Sequence, residues 1–212
     1  MDDIALGRSF LAAIEPFVWR RSMDFGVIDE IRQISARIRD HYAQGALLGP
    51  GYDLKRGRGG IREVEFFAQI QQMIHGGRDP AVRAPATLDA LAALAGAGRL
   101  EPGDADGLSD AYRALRTAEH RVQMFADAQT HLLPADQGQL DEVARLDGRA
   151  SGAELLAALE PHVELVGRLF DSLGAKREAR LSNDPDILRA ELAGMGFVDS
   201  GGDHVHVLRN EG

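Results

Sequence analysis

Apolar residues recur every three or four positions in segment after segment of this chain, and glycine or proline cuts one segment from the next. Val27, Ile28, Ile31, Ile34 and Ile38 form one such face, and Phe66, Phe67, Ile70, Met73 and Ile74 form another. That period belongs to the α-helix, and no stretch carries the alternation of a half-buried strand. Composition points the same way. Ala, Leu, Arg, Glu and Asp are heavily used, while aromatics make up 6% and β-branched residues are sparse.

The periodicity predicts a helix over 4–20, kinked or restarted at Pro16, and a second over 24–43. Others follow over 61–75, from Thr87 to about Ala95, from Asp104 to about Ala128, and over 136–146. Ser151-Gly152-Ala153-Glu154 reads as a capping box opening a helix that reaches about Gly174, bent at Pro161. Asn183-Asp184-Pro185 caps a last short helix, Gly194 and Gly196 close it, and Gly201-Gly202 begins a polar tail. The expected fold is all-α, a bundle of about seven helices on short loops, with residues 1–181 as its body and 182–212 as a helix and tail.

Several classes drop out. No apolar run approaches the roughly 20 residues that span a bilayer, so no membrane segment is expected. Met1-Asp2-Asp3 is acidic and unlike a signal peptide. The absence of cysteine removes disulfides and thiolate chemistry and fits a cytoplasmic protein. A net charge of −9 disfavours nucleic acid as a partner, except through a local basic patch.

One such patch exists. Lys55, Arg56, Arg58 and Arg62 are interleaved with Gly57, Gly59 and Gly60, directly ahead of the helix opening at Ile61. Glycine permits close backbone approach, and a helix N-terminus favours an anion. The pattern reads either as a phosphate cradle or as a basic glycine turn of other use; it lacks the Lys-Ser/Thr pair of a Walker A loop. Glu63 reads either as a carboxylate favoured by the helix start or as a group facing a cleft. Asp104-Ala105-Asp106 and Asp184-Pro185-Asp186 sit at helix starts as caps. His204 and His206 beside Asp203 read as solvated, and His41, His75, His120, His131 and His162 stand singly.

The run Lys55-Arg56-Gly57-Arg58-Gly59-Gly60-Ile61-Arg62-Glu63-Val64-Glu65-Phe66 resembles a motif of the glutamate-ammonia-ligase adenylyltransferases, the glutamine synthetase adenylyltransferase/adenylyl-removing enzymes. Pro16-Phe17-Val18-Trp19-Arg20-Arg21, Gly76-Gly77-Arg78-Asp79-Pro80 and Gln129-Thr130-His131-Leu132-Leu133-Pro134 resemble further pieces of that family, in its order. Arg56 departs from it, standing where the family has a small or apolar residue.

The resemblance implies the helical part of the N-terminal, adenylyl-removing unit, a fragment of a polymerase-β-like nucleotidyltransferase unit. It also implies that the catalytic domain and its metal-binding carboxylates lie upstream of Met1, so that this piece alone is inactive. By resemblance, Lys55, Arg58, Gly59, Gly60 and Arg62 hold phosphate or nucleotide, and Glu63 and Glu65 support them. No metal ligand or catalytic residue is assigned to the chain itself; Mg2+ belongs mainly to the upstream domain. ATP, ADP and phosphate are the implied substrates or products, and glutamine synthetase and a PII-type signal protein the implied partners. The alternative is a non-catalytic helical module that binds glutamine synthetase or the signal protein.

Overall fold

The structure, a computed structural model, describes residues 3–20, 30, 33, 37, 47–175, 197–198 and 206–207. The chain divides into two compact units, Met1–Leu173 and Gly174–Gly212.

The first unit is helical. Among the described residues the α-helices are α1 (Asp3–Val18), α2 (Ile61–His75), α3 (Thr87–Gly96), α4 (Pro102–Ala126), α5 (Gln137–Leu146) and α6 (Gly152–Ala175), the last reaching just past the unit boundary. A 3-10 turn, Pro80–Val82, joins α2 to α3. The helix expected over 24–43 lies outside the described residues except for Glu30, Gln33 and Arg37, which are helical. The helix expected after Asn183 lies wholly outside them. No helix is long and apolar enough to cross a membrane among the described residues.

Local chemistry explains three of the boundaries. Asp136 caps α5 by accepting the Gln139 N–H at 3.0 Å. Ser151 accepts the Glu154 N–H at 3.3 Å, and the Glu154 carboxylate accepts the Ala150 N–H at 3.0 Å, a capping box displaced by one residue. Asp127 ends α4 in the left-handed region, at φ 46°.

Two apolar clusters form the core. In one, Val64, Phe67 and Ile70 of α2 meet α3, Ala105 and Leu108 of α4, and Val166 and Phe170 of α6. In the other, Tyr52, Leu54 and Ile61 meet Leu115 and Val122 of α4, Leu133, α5, and Leu155 and Leu159 of α6. The first half of α4 and the second half of α6 serve one cluster, and the remaining halves serve the other. These two helices therefore run in opposite senses and bind both clusters into one body.

Two helices depart from the burial that their apolar period predicts. Ile4, Leu6, Phe10 and Leu11, the apolar stripe of α1, are exposed, as is Phe17. On α2, Ile74 of the expected apolar face lies exposed, whereas Gln72, a polar residue off that face, is buried. Gln72 donates at 2.7 Å to the carbonyls of Val82 and Ala84, which the 3-10 turn carries into the core and leaves in need of a donor. In the second unit β1 (Phe197–Val198) and β2 (His206–Val207) form a short antiparallel pair, Phe197 opposite Val207.

α1 is tied down near its C-terminus. Arg83 pairs with the Glu15 carboxylate, donates to the Gly76 carbonyl at 2.6 Å, and lies 5.3 Å from the Trp19 ring centroid. A Cβ at Gly76 would come within 2.7 Å of that ring, so only glycine lets the indole settle there. Trp19 and Gly76, from two of the motif-like pieces far apart in sequence, thus meet at one joint.

Candidate functional site

The basic loop is entered through a short paired segment. Leu54 N–H donates to the His131 carbonyl at 2.9 Å, and Leu133 N–H returns a bond to Tyr52 at 2.9 Å, around a bridge between Asp53 and Leu132. Asp53, buried, then turns the chain. Its Oδ1 accepts the N–H of Lys55 at 2.9 Å and of Arg56 at 2.8 Å. The buried Tyr52 closes the loop from below, its hydroxyl donating to the Arg58 carbonyl at 2.7 Å. Burial, then the nearby Glu63 and Asp53 carboxylates, push the Tyr52 pKa well up.

The three glycines are required by close approach. A Cβ on Gly57 would lie 2.5 Å from the Tyr52 ring, and one on Gly60 would lie 2.8 Å from the Leu54 carbonyl. Gly59 has φ 78°, and its Cβ would fall 2.1 Å from the Val163 carbonyl of α6. Gly59 thus lets the loop press against a neighbouring helix, while Gly57 and Gly60 let it close on its own Tyr52 and Leu54.

Its amides are likewise engaged within the fold. Gly60 N–H donates to Gly57, Ile61 N–H to Leu54, Arg62 N–H to Lys55 and Glu63 N–H to Gly60, all at 2.9–3.0 Å. Gly59 N–H donates to Glu63 Oε2 at 2.9 Å. Glu63 is buried and folds back into its own loop, so of its two readings the helix-start carboxylate fits the geometry. Glu65 accepts from the Tyr112 hydroxyl at 3.3 Å and so links α2 to α4.

Three of the loop's four cations divide into two kinds. Arg58 lies along α6 over Gly167, where a Cβ would come 2.8 Å from the guanidinium carbon. It pairs with Asp171 at 3.0 Å and Glu164 at 3.6 Å, one helical turn to either side. Partial burial works against its charge, yet Asp171 and then Glu164 outweigh that and hold its pKa above the usual value. Lys55 and Arg62 differ: no carboxylate pairs with either among the described residues. The Arg62 N–H to Lys55 carbonyl bond, 3.0 Å, sets their backbones side by side, and Arg62 lies 6.0 Å from the Phe66 ring centroid. Lys55 and Arg62 are half-buried, so their charges stay within reach of solvent.

Asp53, Glu63 and Glu65 already accept hydrogen bonds, and among the described residues no group of three or more His, Cys, Asp or Glu could hold a metal. Glu119, buried on α4 with Arg116 and His131 as partners, was missed by sequence reasoning; His131 stood alone in the sequence because its partner is on another element.

A family model described as GlnD PII-uridylyltransferase matches residues 31–174. Relatives named bifunctional glutamine synthetase adenylyltransferase/adenylyl-removing enzyme are 44% identical over 206 residues in Caulobacter vibrioides and 42% over 207 in Xanthobacter autotrophicus. A third, from Agrobacterium fabrum, is 40% identical over 207 residues. These matches cover 92–93% of this chain but 21% of each relative, so the chain spans about a fifth of their length. The model's name and the relatives' names specify different nucleotidyl groups and agree on nucleotidyl transfer. The chain belongs to the GlnD PII-uridylyltransferase family and is similar across nearly its whole length to relatives named bifunctional glutamine synthetase adenylyltransferase/adenylyl-removing enzyme.

Proposed function

We propose that this chain is part of a bifunctional enzyme that adenylylates and deadenylylates glutamine synthetase, and that it completes the phosphate or nucleotide site of the adenylyl-removing half. The observation carrying this reading is that Lys55 and Arg62, joined backbone to backbone, have no carboxylate partner among the described residues, while Arg58 has two. Two adjacent cations suit the oxygens of a phosphoryl group and would stabilise charge as it develops there. In this proposal Gly59, Gly60 and Glu63 hold the loop's shape, Arg58 ties it to α6, and Glu65 braces α2. The magnesium and its carboxylates come from outside this chain, and a PII-type signal protein controls the enzyme.

Titrating inorganic phosphate, ADP and ATP against the 212-residue chain tests the reading. Binding that Lys55→Ala and Arg62→Ala both weaken supports it. The rival, a non-catalytic module for glutamine synthetase or the signal protein, draws on the exposed apolar side chains of α1. It is favoured if millimolar ligand does not bind and a complex with glutamine synthetase forms. In a longer chain that removes AMP from glutamine synthetase, undiminished activity after Lys55→Ala would exclude the loop from the mechanism.

A further inference from the structure

The basic loop hangs on residues 131–133, and something must hold that segment to the bundle. Glu119 of α4 is 1% exposed, and its Oε1 lies 2.6 Å from Nδ1 of His131. Its other oxygen is engaged by Arg116, one turn earlier on the same helix. A carboxylate only accepts, so the bond requires the hydrogen on Nδ1 and fixes the imidazole's orientation. His131 in turn offers its backbone carbonyl to Leu54 N–H at 2.9 Å. The Leu54 carbonyl accepts Ile61 N–H at 2.9 Å, and the next pair, Lys55 with Arg62, joins the two cations. Glu119 thus stands at the head of a continuous run of hydrogen bonds that ends between Lys55 and Arg62.

We propose that Glu119 is a positioning residue for the basic loop, acting through His131 to hold Lys55 and Arg62 in register. A stability role alone is a weak account of it. Apolar side chains of similar size commonly replace buried ion pairs without loss of stability. This proposal rests on the phosphate reading of Lys55 and Arg62, and the test separates the two.

The test compares the full chain with Glu119→Gln and with the double variant Glu119→Leu/His131→Leu, which refills the site with apolar volume. Amide hydrogen exchange is read at Leu54, Ile61 and Arg62 against Leu91 and Leu94 of α3, and affinity is read with inorganic phosphate and with ATP. Exchange at the loop amides should rise about tenfold in both variants while α3 is unchanged, since local opening is separable from global unfolding. Phosphate and ATP should bind several-fold more weakly, even where the double variant melts like the parent. Parental loop exchange in the double variant, or an equal rise in α3 after Glu119→Gln, would overturn the proposal. If the parent binds neither probe, the phosphate reading fails, and the exchange comparison still decides whether Glu119 positions the loop.

Discussion

Gly59 combines a left-handed backbone with a wall of α6 where its side chain would go. Two terms should therefore add on substitution. Gly98 supplies the control, with φ 65° and nothing within 4 Å of a Cβ. Gly98→Ala should cost about 1–2 kcal/mol, the left-handed penalty alone. Gly59→Ala should cost at least about 3 kcal/mol, because Val163 presents backbone that cannot swing aside. Urea unfolding measures both, and equal losses would show that the Val163 contact is not what requires glycine. Tyr52 makes a second residue-scale prediction. Its folded pKa is raised above the ordinary 10.0, so the folded state holds its proton where the unfolded state releases it. Its contribution is fully present below pH 10 and should be lost as pH rises above that value. The unfolding midpoint should fall between pH 9.5 and pH 11 (roughly the onset of unfolded-state ionisation), and Tyr52→Phe should flatten part of that fall. The bend and the helix start at Ile61 were legible because they are local in sequence. What crowds the glycines was not, since Val163 belongs to a helix far along the chain.

At the scale of elements, the loop's contacts with α6 and α2 divide its cations by task. Arg58 and its two acidic partners on α6 are partly exposed, so the clamp is a screened surface pair. Arg58→Ala should lower stability by no more than about 1 kcal/mol and leave phosphate affinity nearly intact. Lys55→Ala and Arg62→Ala should do the reverse, with stability within about 0.5 kcal/mol of the parent and affinity down several-fold. Calorimetric titration beside thermal melting checks both halves, and equal losses of affinity in all three variants would return Arg58 to the binding set. The helices themselves were legible, because a 3.6-residue period needs no knowledge of neighbours. Their faces were less so. Gln72 is buried because a turn outside α2 brings carbonyls to it, and the short extended piece Tyr52-Asp53-Leu54 pairs with 131–133, a partner that no local pattern announces.

Across the whole first unit, α4 and α6 serve both apolar clusters, whereas α1 presents most of its large apolar side chains to solvent. Unfolding should therefore not be uniform. The helices from α2 to α6 share buried surface, each large side chain contributing about 1.5–3 kcal/mol, and should melt together. The described side-chain contacts of α1 centre on Trp19 against Gly76, Arg83 and the Glu15 pair. Trp19 is the chain's one tryptophan, so its fluorescence reports this joint alone. In a urea titration the Trp19 signal should change at a lower concentration than the far-ultraviolet helical signal. Arg83→Ala removes the ion pair, the ring contact and the bond to Gly76 together, and should move only the earlier transition. Coincident midpoints in the parent, or a matching shift of the helical signal in Arg83→Ala, would mean that α1 belongs to the same cooperative body. In that case its exposed apolar side chains would count as surface of a fixed scaffold and not of a helix held at one joint.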